Sequence, residues 1–246
     1  MASFALVVCA DRRLSTGSGA TVSDLDSKIE LLCQGAVSFT TGLTAIIGAQ
    51  ERREVFNTPA IVASVVRGAK PQELDKAFPA LGQALGRSFE EYLRSRPRNA
   101  WPASNTSLLT AGFAWFDAQG RPNIAALTLS SRSNTTINVS VDANLWRPAH
   151  LQKLVPLFFG RVEVPGAIAN RPEPEWREMR ARPLVAKMLA LETQPQDLTV
   201  SEAEEYLRMT IRLSAEEGPK RLGLPATVSA ESQCFVIRAN VPVTPR

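Results

Sequence analysis

Strand patterns and helix patterns fall in separate blocks along this chain, and that segregation limits its architecture more than any other feature. Residues 5–10 form a short apolar run containing Val7 and Val8, which reads as a strand buried on both faces, and it stops at the charges Asp11-Arg12-Arg13. The Ser, Thr and Gly residues of 14–23 favour an irregular hairpin. Residues 28–33 and 36–47 read as two further strands around the turn Gln34-Gly35, the second long enough to need a break near Gly42. Thr58-Pro59 then opens a helix as cap and first residue, with Ile61, Val62, Val65 and Val66 on one face. A second helix follows Lys70-Pro71, its apolar stripe running through Leu74, Phe78, Leu81, Leu85, Phe89 and Leu93.

Strands resume at 107–116, and the turn 117–122 returns the chain into 123–130, with one more strand expected over 135–141. Pro156 breaks either regular reading of 148–159, which stays open between helix and strand. The stretch 161–196 holds Pro165, Pro172, Pro174, Pro183 and Pro195 and reads as an irregular insertion around one helix, 175–191. Thr199-Val200-Ser201-Glu202 is a capping box that opens a helix ending at Gly218-Pro219, and 233–239 supplies a last strand. Strands, two helices, strands, a long helix and a strand suit an α+β sheet sandwich flanked by helices better than a doubly wound parallel sheet.

A length of 246 residues with 44% hydrophobic content can bury one large core, so a single domain over 1–246 is expected. No window approaches the ~18 consecutive apolar residues of a membrane span, and the apolar start lacks a basic leader. These features predict a soluble, cytoplasmic protein. Cys9, Cys33 and Cys234 lie far apart with no CxxC pairing, which argues for buried free thiols and against a disulfide framework or a zinc site, and no metal or cofactor is expected. His150 is the one histidine, so histidine-based nucleophilic catalysis would rest on that residue alone. The net charge of +4 is mild, and the basic residues are interleaved with acidic, proline and apolar ones, a solvated surface rather than a nucleic-acid interface.

One constellation carries chemistry. The apolar run ends in Ala10-Asp11-Arg12-Arg13, a Ser/Thr/Gly hairpin follows, Lys28-Ile29 comes 17 residues after Asp11, and Gly42 comes 14 residues after Lys28. This arrangement resembles the proteasome β-subunit family of N-terminal-nucleophile hydrolases and its bacterial relatives. The likeness is firm over 5–42, looser through the two helices, the 112–129 hairpin, the Thr199 helix and the last strand, and absent over 161–195. It implies a four-layer αββα sandwich of two antiparallel sheets flanked by helices. It implies also a threonine-type peptidase or amidohydrolase lineage, a peptide substrate, no cofactor, and self-association or related subunits in a ring.

In that family an N-terminal threonine attacks with its hydroxyl while its own α-amino group, with a pKa near ~8, acts as general base. The residues matching Asp11, Lys28 and Gly42 are catalytic. The lysine's charge helps set the threonine's protonation state, the aspartate holds the lysine, and the glycine N–H faces the developing oxyanion. Arg13 and Ser15 fall where the family meets its extended substrate.

The chain departs from the family at the nucleophile. The family's threonine stands about sixteen residues before the aspartate, whereas only ten residues precede Asp11 here, with no threonine among them. Ser3 lies too near Asp11 to take its place, and Cys9 sits within the strand. The Ser-Gly-Gly turn of active subunits is replaced by residues 224–230, and the serine near the nucleophile is not assignable among Ser130, Ser131 and Ser133.

Three readings therefore stand: a peptidase whose nucleophile strand lies upstream of the start given, a non-catalytic subunit of a ring assembly, or an unrelated α/β binding protein. Structural roles also stand beside the catalytic ones. Asp11 can cap a turn and pair with Lys28, Arg13 can be a salt-bridge residue, and Gly42 can serve only the strand break.

Overall fold

The computed structural model describes residues 5–15, 21–23, 27–33, 35–42, 45–47, 54–97, 102–103, 106–131, 139–146, 162–190, 198–239 and 241–245. Ser3, Ser133, His150 and the ambiguous stretch 148–159 lie outside them, as does most of the strand expected at 135–141. The fold is α+β, with antiparallel sheets and six α-helices among the described residues. None of those helices is long and apolar enough to cross a membrane. The chain divides into two compact units, one of 1–6, 30–147 and 237–243, the other of 7–29, 148–236 and 244–246.

The first unit is built on a five-stranded sheet. Its strands are β4 (Ile29–Cys33), β5 (Ala36–Gly42), β8 (Thr106–Phe116), β9 (Pro122–Ser131) and β10 (Val139–Trp146), in the order β10-β9-β8-β5-β4. A short pair, β6 (Ala45–Ile47) and β7 (Glu54–Asn57), leads into α1 (Thr58–Val66), a 3-10 turn (Pro71–Ala77) and α2 (Phe78–Arg94). Asn57, rather than the expected Thr58, caps α1 by accepting from the Ala60 N–H at 2.8 Å. The amide oxygen of Asn57 reaches the third helical residue, so the helix starts one position early.

Side chains alternate across a strand, so Leu109, Ala111, Phe113 and Trp115 of β8 share one face. That face meets α2, where Phe78 packs on Phe113 and Trp115 with ring centroids 5.1 and 5.7 Å apart. Leu81, Leu85, Phe89 and Leu93 extend the same buried stripe, as the spacing predicts. The other face of the sheet is buried as well: Val37, Ala114 and Ala126 are each 2% exposed or less. At its centre Phe39 lies opposite Gly112, where any Cβ would fall on the Phe39 ring.

The β8–β9 hairpin forms at the expected turn, whose geometry comes from Asp117. Its carboxylate accepts from the N–H groups of Gln119 and Arg121 at 3.0 and 2.9 Å and pairs with the Arg121 guanidinium at 2.7 Å. Pairing then runs from Phe116↔Pro122 to Thr106↔Ser131, which puts Ser130 and the buried Ser131 at the far end of β9.

The second unit carries α3 (Glu163–Asn170), α4 (Pro174–Ala181), α5 (Pro183–Ala190) and α6 (Val200–Leu222). The stretch read as irregular thus holds three helices, and the single helix expected over 175–191 is broken. Arg182 has φ −60° and ψ 132° because the ring of Pro183 excludes the helical conformation from the residue before it. Val164, Ile168, Trp176, Met179 and Val185 bury themselves with Leu213 of α6, so these short helices share one apolar cluster. The arginines of this segment serve the helices: Arg180 donates to the Ile168 carbonyl in the last turn of α3 at 2.8 Å.

The capping box at Thr199 is present in both directions. Its hydroxyl accepts from the Glu202 N–H at 3.2 Å, and Glu202 accepts from the Thr199 N–H at 2.8 Å. The helix runs past the expected stop, through Pro219, and closes at Gly223 in the left-handed conformation with φ 62°.

A three-stranded sheet holds β1 (Ala5–Asp11), β11 (Ser232–Arg238) and β12 (Val241–Pro245), in the order β1-β11-β12. The strand β1, expected to be buried on both faces, is half-exposed along its length and stands at one end of its sheet among the described residues. After it, β2 (Leu14–Ser15) and β3 (Thr21–Ser23) form the short hairpin that the Ser/Thr/Gly composition predicts.

Candidate functional site

The second unit gathers three of the five candidate residues around the end of β1. Asp11 is the last residue of that strand, and Lys28 precedes β4. The Lys28 Nζ lies 2.9 Å from both Asp11 oxygens, with the two side chains only 19% and 16% exposed. Such a pair has lost much of its hydration, so it persists only if its remaining hydrogen-bonding capacity is met.

That capacity is met by the backbone. The Arg13 N–H donates to Asp11 Oδ1 at 2.9 Å, closing an Asx turn that ends the strand. A second donor comes from the far end of the chain, where the Ser229 N–H reaches the same oxygen at 3.3 Å. Asp11 therefore binds an ammonium and two amides from three separate segments, which fixes its carboxylate in direction as well as place.

Ser229 belongs to the stretch 224–230 that follows α6. The segment is ordered by its own contacts: the Thr227 N–H donates to the Pro225 carbonyl at 2.8 Å, and the Ser229 hydroxyl accepts from the Glu231 N–H at 3.1 Å. Arg13 closes over it, its guanidinium donating to the Ala226 carbonyl at 2.8 Å. The Arg13 side chain thus fastens residues 224–230 to the end of β1.

The strand pairing beside this cluster is covalent. Cys9 and Cys234 are joined in a disulfide across β1 and β11, their Cα atoms 4.1 Å apart. This corrects the expectation of free thiols for both residues. They are far apart in sequence, but the antiparallel pairing of the first and penultimate strands brings them face to face. Further along, the Arg12 N–H donates to the Glu231 carbonyl at 3.2 Å, in the same register as Cys9 opposite Cys234. Three residues apart along one ladder, the two pairs are of opposite type, so the cysteines occupy a close, non-hydrogen-bonded position.

Gly42 ends β5 in the first unit, with φ +83°, and a Cβ there would stand 2.5 Å from the Leu108 carbonyl oxygen. The strand break near Gly42 is present, and its glycine is required both by conformation and by close backbone approach. Ser15 lies in β2, paired with Thr21 of β3. Sequence reasoning missed Ser229 and the bridge. The one available signal for Ser229 was its position just after the long helix.

No protein-family model matches this chain, and no curated protein matches it.

Proposed function

We propose that the chain belongs to the proteasome-type N-terminal-nucleophile hydrolase lineage of threonine-type peptidases and amidohydrolases, and that it self-assembles or joins related subunits in a ring. The observation that carries this reading is the Asp11–Lys28 pair, held bidentate at 2.9 Å and oriented by the Arg13 and Ser229 amides. A lysine so held presents a fixed positive charge, which is what an adjacent hydroxyl nucleophile needs to lose its proton at neutral pH.

The four-layer sandwich belongs to the same proposal. Burial of both faces of the five-stranded sheet supports it, since helices on one face leave the other to be covered by a further layer. In this reading the resemblance alone gives Gly42 its oxyanion role, and Ser15 lies beside an extended peptide. Arg13 acts through its hold on residues 224–230. A cytoplasmic location, as expected from the sequence, requires the Cys9–Cys234 bridge to be reversible there, because cytosolic disulfides are usually transient or redox-sensing.

Native mass spectrometry together with a panel of fluorogenic peptides tests the proposal. A multimer is the expected result, with any peptide turnover lost in Lys28→Ala. A monomer overturns the ring subunit, and turnover unchanged in Lys28→Ala overturns the role given to the Asp11–Lys28 pair.

A further inference from the structure

The Cys9–Cys234 bridge sits two residues from Asp11, on the same face of β1, since side chains two apart on a strand point the same way. On the other side it comes five residues after Ser229, which precedes β11 and whose amide holds the Asp11 carboxylate. One antiparallel register therefore contains the bridge and the Arg12 to Glu231 backbone bond, and Ser229, two residues before Glu231, reaches the Asp11 carboxylate from just beyond it. A register slip of one residue would turn Asp11 to the opposite face.

We propose that the bridge is a redox-controlled positioning device for the Asp11–Lys28 pair. Oxidised, it locks β1 against residues 229–234 and keeps the Ser229 N–H on Asp11. A dithiol reductant releases that lock. Its thiolate attacks Cys9, which is half-exposed, while Cys234 is fully buried and leaves as thiolate. A second thiol of the reductant then displaces Cys9, and the products are two protein thiols and one oxidised dithiol. This rests on the functional reading above only for its consequence; the coupling itself concerns geometry.

Amide hydrogen exchange on the full-length protein, before and after dithiothreitol, tests it without any activity assay. Intact mass after alkylation first counts the thiols. The expected result is that reduction speeds exchange of the Arg13 and Ser229 amides at least tenfold more than that of amides in α6. The double variant Cys9→Ala/Cys234→Ala should match the reduced protein under both conditions. Three alkylated thiols in the air-equilibrated protein, unchanged exchange at Arg13 and Ser229, or equal acceleration throughout the chain would each overturn the proposal. The last would make the bridge a general staple. A failed peptidase or ring assay leaves these outcomes untouched, so the two proposals fail separately.

Discussion

Lys28 and Asp11, 17 residues apart in sequence, meet through two hydrogen bonds of 2.9 Å, one to each carboxylate oxygen. The two partners are not equivalent. Asp11 also accepts from the Arg13 and Ser229 amides, whereas the bonds that Lys28 makes with its ammonium group run to Asp11.

Removing either partner should therefore cost unequal amounts. Asp11→Ala strands a largely buried ammonium and two amides and is expected to destabilise by about 3 kcal/mol, at the lower end for buried pairs because both groups keep some solvent. Lys28→Ala leaves the carboxylate with two N–H donors and should cost roughly half as much. Urea denaturation of both variants reads the difference, and equal losses would show that the backbone donors contribute nothing.

Gly42 and Gly35 both have positive φ, +83° and +91°, but an added Cβ meets the Leu108 carbonyl oxygen at 2.5 Å only at Gly42. Gly35→Ala is expected to cost about 1 kcal/mol for conformation alone, and Gly42→Ala at least about 2 kcal/mol more for displaced backbone. Thermal unfolding of the two variants side by side checks the order.

Glu202 is held near pKa about 2 by the hydrogen bond from the Thr199 backbone, then by Lys187 and the Thr199 hydroxyl. Its folded pKa lies below the ordinary 4.5, so its contribution is complete above about pH 4.5 and disappears as pH falls toward 2. Amide resonances of the first turn of α6 should show fraying across that window, and Glu202→Gln should flatten the response. Independently of pH, Thr199→Ala should cost about 1 kcal/mol.

Trp176 is 1% exposed at the centre of the cluster that joins α3, α4, α5 and α6. Trp176→Ala is expected to cost about 3–5 kcal/mol through the cavity it leaves. Limited proteolysis should then cut within 163–190 before it cuts the β8–β9 hairpin.

Where local pattern decides local structure, the sequence was readable. Alternation and the Asp117 turn give the β8–β9 hairpin nearly to the residue, and three-four spacing gives the inward stripe of α2. Pro183 carried the signal that splits α4 from α5, yet the continuous apolar periodicity around it obscured the break. The Asp11–Lys28 pair was legible only through family resemblance, because spacing alone does not bring residues 17 apart into contact. The Ser229 amide and the bridge depend on β11 returning to lie beside β1, and no local pattern encodes which strands become neighbours.

The link between positions 9 and 234 makes nearly the whole polypeptide a closed loop. A protease nicking any peptide bond between those positions would leave a molecule of essentially unchanged mass until thiol is added.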